Sequence, residues 1–192
     1  MLSFSVTKQV NAKLGLKEKI PNTKAMFLGA AVHSHLQSEL SEDFIKEREI
    51  WFSIPYAWKN LGFKEILISG HPDNYSIKKR SLIEYKTSLS DEADGDIHDH
   101  MKRQVAFYWL VLNRETGFDF STRVVKLWLK TVGMGPTGKP IQELQTSEWI
   151  ATAEEKIKYS TEMVQRALEA ASKLDEALGQ NILARQTPPK VI

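Results

Sequence analysis

A mixed α/β fold, with a central mixed β-sheet flanked by helices and a long C-terminal helix, is predicted by three features of the sequence. Four β-type runs crowd between residues 47 and 87. A helical pattern separates them from one more β-branched run at 122–130, and an amphipathic pattern is sustained from Ser147 to Leu178. With 192 residues, 42% of them apolar and 26% charged, the chain suits one compact domain with a substantial core. The reading is a lead-in at 1–22, a single domain at 23–180 and a tail at 181–192.

Residues 1–22 mix lysines with scattered apolar positions and end at Pro21-Asn22, after which Thr23 can cap a helix. Over 24–40, Met26, Phe27, Ala30, Ala31, Leu36 and Leu40 recur at near-helical spacing, which sets Gly29, His33 and Gln37 on one line. Residues 47–54 alternate charged and apolar side chains, as in a half-buried strand, and Pro55 stops them. Runs at 65–69, 74–77 and 81–87, separated by Gly70-His71-Pro72 and Lys78-Lys79-Arg80, extend this into a meander of mostly antiparallel strands. Ser90 or Asp94 can start the next helix, which continues through Met101, Val105, Tyr108 and Leu112 to Arg114, with Gly117 past its end. Residues 122–130 are β-branched and aromatic enough for a strand, and the glycines and prolines of 133–140 mark a hairpin tip. From Ser147, the apolar positions Ile150, Ala153, Ile157, Val164, Leu168, Ala171, Leu174 and Leu178 carry one long helix to Gly179, before a tail with Pro188-Pro189.

No apolar run approaches the roughly 20 residues that span a bilayer, and residues 1–19 lack the apolar core of an export signal. A soluble, cytoplasmic protein without a membrane partner is expected. Cysteine is absent, which excludes disulfides, thiolate zinc sites, a cysteine nucleophile and a cysteine-ligated iron–sulfur cluster. Any metal must be held by oxygen or imidazole. A formal net charge of +2 permits a nucleic-acid partner without requiring one.

Chemistry concentrates where Asp73 follows one β-type run and Glu84 and Lys86 lie inside the next. Two residues apart on a strand, Glu84 and Lys86 leave the same face, and Asp73 can lie beside them across a turn. Carboxylates of this kind suit Mg²⁺ or Mn²⁺, which cleave phosphodiesters by polarising the phosphoryl group and acidifying a bound water. Lys86 can orient or deprotonate that water, or stabilise the developing phosphorane charge. By itself, Glu84-x-Lys86 also fits an ordinary exposed charge pattern on a sheet. The apolar neighbours Leu82, Ile83 and Tyr85 weigh against that, because charge buried without a purpose is costly. Downstream, His100, Gln104 and Tyr108 recur at helical spacing as a polar line on an otherwise apolar helix. Lys78, Lys79, Arg80, Lys102 and Arg103, with His100, are the groups available to line a nucleic-acid path, although solvated surfaces explain the basic ones nearly as well. The other histidines, His35, His71, His98 and His100, can be incidental, with His71 and His100 the two that can lie near the site.

The order Gly29-x-x-x-His33, Gly70-x-Pro72-Asp73, Ile83-Glu84-Tyr85-Lys86-Thr87 and Gln104-x-x-x-Tyr108 resembles the RecB-like branch of the PD-(D/E)xK nuclease superfamily. It is most similar to the CRISPR-associated and viral RecB-like exonucleases, over roughly residues 25–130. The resemblance implies a restriction-endonuclease-like core, with His33, Asp73, Glu84 and the Tyr85 carbonyl as metal ligands. It also implies Lys86 as the catalytic lysine and Gln104 with Tyr108 as a supporting motif. An imidazole ligand would shift preference from magnesium toward manganese. Many members carry four cysteines that bind an iron–sulfur cluster; this chain has none. The function so implied is a Mn²⁺- or Mg²⁺-dependent deoxyribonuclease, an exonuclease rather than an endonuclease, acting on single-stranded or duplex DNA ends. A second copy or a helicase or recombination protein would be its partner. The alternative is a catalytically silent nucleic-acid-binding or protein-interaction module on the same fold.

Overall fold

In the computed structural model, which describes residues 23–88 and 95–186, the chain forms three helices and seven strands among the described residues. They are α1 (Thr23–Ser38), β1 (Ile45–Lys46), β2 (Ile50–Pro55), β3 (Glu65–Gly70), β4 (Asn74–Ser76), β5 (Ser81–Ser88), α2 (Asp99–Thr116), β6 (Ser121–Met134), β7 (Pro140–Ile150) and α3 (Ala153–Gln186). Five strands make a mixed sheet in the order β1-β4-β5-β6-β7. Only β5 and β6 run parallel within it. A parallel pair needs a long crossover, and α2 supplies it.

The core forms where α2 lies on the sheet. Val105, Ala106, Phe107, Tyr108, Val111 and Leu112 are buried along this helix, against Leu82 of β5 and Val124 of β6. Phe107 also meets Phe52 of β2 edge to face, with ring centroids 5.9 Å apart. Gly117 closes α2 in the left-handed region (φ 73°), its N–H donating to Asn113 O. Helix α3 covers α2, and α1 rests on β5. There a Cβ on Gly29 would come within 2.8 Å of Thr87 Oγ1, so glycine lets helix and strand approach closely.

Several boundaries differ from the sequence expectation. Thr23 lies inside α1 rather than capping it. The strand expected from residue 47 starts at Ile50, because Glu47 adopts a left-handed conformation (φ 49°) whose N–H donates to Asp73 O. The expected meander divides, because β2 and β3 pair only with each other. Residues 95–98 are not helical, and α2 begins at Asp99 rather than at Ser90 or Asp94, which lie outside the described residues. Gly95 sits against the Trp128 ring, where a Cβ would come within 2.8 Å, so glycine lets the chain approach the sheet there. Residues 147–150 belong to β7, paired with β6 through Lys126↔Ser147 and Arg123↔Ile150. Sheet pairing overrides their helical spacing. The glycine-rich 133–140 segment does form the hairpin tip, with Gly135 N–H donating to Lys139 O. The lead-in at 1–22 and Pro188-Pro189 lie outside the described residues. No described helix is long and apolar enough to cross a membrane.

Helix α3 runs past Gly179 because the glycine makes room for the β2–β3 connection, its missing Cβ facing Asn60. Four residues earlier, buried Asp175 accepts the Lys59 N–H at 2.8 Å and the Asn60 N–H at 3.1 Å, and its carbonyl accepts Asn60 Nδ2 at 2.8 Å. The Lys59 N–H, then Asn60, hold the Asp175 carboxyl below its ordinary range, against the effect of burial. A depressed carboxylate contributes stability above its unfolded pKa and loses it as pH falls through the folded value. Asp175→Ala is therefore expected to lower Tm at neutral pH, with the gap to wild type closing in acid. A gap independent of pH would show that the carboxylate charge is not what clamps the hairpin.

Candidate metal centre

Strand periodicity sets Glu84 and Lys86 on the face of β5 that α2 covers. Glu84 is 1% exposed, and its Oε1 accepts Lys86 Nζ at 2.6 Å and Gln104 Nε2 at 2.9 Å. Gln104 Nε2 also lies 2.8 Å from Tyr108 OH one turn along, so α2 presents this pair to the acid as a unit. The other Glu84 oxygen, Oε2, accepts the Asp73 N–H at 3.3 Å. Burial pushes the Glu84 carboxyl up to about 7, against the pull of Lys86 and with the help of the Asp73 charge. Burial likewise raises the Tyr108 hydroxyl, and the Glu84 charge adds to it.

Asp73 enters from the loop after β3. Its Oδ2 accepts the Tyr85 N–H at 2.7 Å, which fixes the carboxylate at the edge of β5. His33 of α1 places Nε2 3.0 Å from the same oxygen, while its ring meets Tyr85 edge to face. The Asp73 carboxylate holds the imidazole above its ordinary value, against burial. Yet Nε2 is a buried nitrogen with no aligned hydrogen bond. The 3.0 Å spacing suits an ion pair with a protonated imidazole, and would equally suit two ligands facing one cation. Cis ligands of an octahedral cation bound at about 2.1 Å lie about 3 Å apart.

Among the described residues, no three His, Asp or Glu side chains are arranged as a ready metal cage. Both Glu84 oxygens accept protein donors. His33 and Asp73 are the side chains that could share a divalent cation, with Glu84 adjoining and committed to Lys86. Tyr85 contributes its N–H and its ring to these contacts.

Two polar residues were not assigned to the centre from sequence. Gln37, one turn beyond His33, donates from Nε2 to Asp73 O and to Glu47 Oε1. Glu47 Oε1 lies 4.0 Å from His33 Nδ1. Gln37 was legible as a member of the His33 line, whereas Glu47 arrives through a turn that its sequence does not announce. The His71 backbone meets the Tyr108 hydroxyl, while its side chain lies 3.9 Å from Glu49. Lys78, Lys79 and Arg80 form the turn before Ser81, about 17 Å along β5 from Lys86. There both lysines meet Asp43, and Arg80 stacks on Phe118. Lys102 meets Asp99 and the Trp149 and Tyr159 rings, and Arg103 pairs with Glu162 of α3. His100 lies nearer, within the field of Lys86.

No family model and no curated protein matches the chain. Among solved structures it is similar to SSO0001, at 17% identity and a TM-score of 0.43, over 96% of this chain and 70% of that one. It is also similar to a "Putative exonuclease" from Eubacterium rectale, at 11% identity and a TM-score of 0.46, over 86% of this chain and 60% of that one. The chain thus spans less than two thirds of the second protein's length. Likeness of this degree leaves the functional reading to the site itself.

Proposed function

We propose that the protein is a metal-dependent nuclease that hydrolyses phosphodiester bonds of DNA, preferentially from ends. The observation that carries this reading is His33 Nε2 held 3.0 Å from Asp73 Oδ2, beside a buried Glu84 that contacts Lys86. His33 and Asp73 would hold Mn²⁺ or Mg²⁺, and Glu84 would complete the set. A bound cation of this kind polarises a phosphoryl oxygen and acidifies a coordinated water.

The chain's own groups divide the remaining tasks. Tyr85 N–H orients Asp73, and Gln104, tied to Tyr108, orients Glu84. Lys86 is partly exposed, with its ammonium anchored on Glu84 Oε1. Its remaining N–H donors are available to a phosphate at the mouth of the site, where they stabilise the charge that develops on phosphorus-bound oxygens.

Purified protein in manganese is expected to degrade end-labelled linear DNA, to spare closed circular DNA and to stop when metal is chelated. Manganese should also raise its Tm, and should do neither for Asp73→Asn or His33→Ala. Equal DNA loss with wild type and Asp73→Asn would remove the assignment. A second reading, a silent nucleic-acid-binding or interaction module, is favoured by the way Lys86 and Gln104 already satisfy Glu84 without a cation. It predicts DNA retention with no product and no manganese effect on Tm.

A further inference from the structure

The His33 imidazole lies between two carboxylates, one facing each ring nitrogen. Asp73 Oδ2 stands 3.0 Å from Nε2, and Glu47 Oε1 stands 4.0 Å from Nδ1. Three separate segments converge there, because α1 carries His33, the turn between β1 and β2 carries Glu47, and the loop after β3 carries Asp73. One carbonyl ties them together. Asp73 O accepts the Glu47 N–H at 3.2 Å and Gln37 Nε2 at 3.3 Å, while Gln37 Nε2 also lies 3.2 Å from Glu47 Oε1.

Glu47 reaches this place at a conformational cost. Its φ of 49° lies in the left-handed region, which a residue with a Cβ seldom occupies. A turn alone is served better there by glycine or asparagine. What glutamate adds is a carboxylate beside the imidazole, steadied by Gln37 one helical turn beyond His33.

An imidazole nitrogen binds a cation only through its lone pair, so a neutral ring that ligates through Nε2 carries its proton on Nδ1. Asp73 favours the opposite tautomer, since its oxygen at 3.0 Å draws a proton to Nε2. A carboxylate facing Nδ1 offsets that pull. We infer that Glu47 is a positioning residue of the centre, which accepts the Nδ1 proton of His33 and holds the ring in the tautomer that leaves Nε2 open to a divalent cation. This rests on the proposed metal centre at His33 and Asp73. At 4.0 Å the contact is an ion pair rather than a hydrogen bond, and a small rotation of the exposed Glu47 side chain brings the two atoms into bonding range.

The test compares Glu47→Ala with Glu47→Gln in the full chain. The first removes the acceptor, whereas the second keeps an oxygen for Nδ1 and for Gln37 but no charge. Calorimetric titration with manganese is expected to show affinity weakened roughly tenfold or more in Glu47→Ala and within about threefold of wild type in Glu47→Gln. With ¹⁵N-histidine label and saturating magnesium, wild type should show an exchange-protected Nδ1–H resonance that disappears in both Glu47→Ala and His33→Ala. A Glu47 that only braces the turn would lower the Tm of the metal-free protein and leave the manganese affinity alone. Unchanged affinity in Glu47→Ala, or no protected Nδ1–H in wild type, overturns the inference. Equal losses in the two variants also overturn it, because the charge rather than the acceptor would then be at work. Full DNA hydrolysis by Glu47→Ala with unchanged manganese affinity leaves the nuclease reading standing without the positioning role. Glu47-dependent manganese binding with no DNA product supports the role and removes the nuclease reading instead, and a wild type that binds no manganese overturns both.

Discussion

Glu84→Gln is expected to lower manganese-dependent DNA hydrolysis by about a hundredfold to a thousandfold without lowering the stability of the metal-free protein. Glutamine keeps the volume of a side chain that is 1% exposed, and its amide oxygen can still accept from Lys86 and Gln104. Besides the charge, it gives up only the long 3.3 Å hydrogen bond from the Asp73 N–H to Oε2. A carboxyl whose folded pKa is raised makes its ionised form a cost to folding above the unfolded pKa, so Tm near neutrality should hold or rise. Activity falling while Tm holds is the pattern that a merely structural acid cannot give. Undiminished hydrolysis by the folded variant would sink the catalytic assignment of this residue. Lys86→Ala should lose activity to a similar extent, but with a drop in Tm, because it leaves the buried Glu84 without its cation.

Phe107→Ala should cost about 3–5 kcal/mol in urea unfolding, the largest single stability effect expected here. The ring is fully buried, meets Phe52 edge to face and lies 6.3 Å from the Tyr108 ring. Removing it opens a cavity between α2 and the β2–β3 hairpin, a region whose surrounding helices and strands limit collapse. The consequence reaches the centre, since that hairpin leads into the loop carrying Asp73 while α2 carries Gln104. Manganese affinity should therefore weaken along with stability. A loss below about 1 kcal/mol would mean that the neighbours close over the gap.

Local rules carried much of the fold. Strand period two placed Glu84 and Lys86 together, helical spacing placed Gln104 with Tyr108, and Gly117 marked the end of α2. The same rules misread 147–150, whose apolar spacing also fits a helix, because pairing with β6 is a long-range fact. They could not separate β2–β3 from the main sheet either, since alternation says which face is buried but not which strand lies alongside.

The sequence by itself therefore determined the residue types and the short-range spacings of the candidate centre, together with the exclusion of cysteine chemistry. Only the tertiary structure decided that His33 of α1 meets Asp73, that Glu47 turns toward the same imidazole, and that Lys126 stands beside Lys86. Backbone geometry fixes what neighbours in the chain share. Contacts across a helix–strand approach or a parallel crossover depend instead on how whole elements pack, and packing is set by the core as a unit.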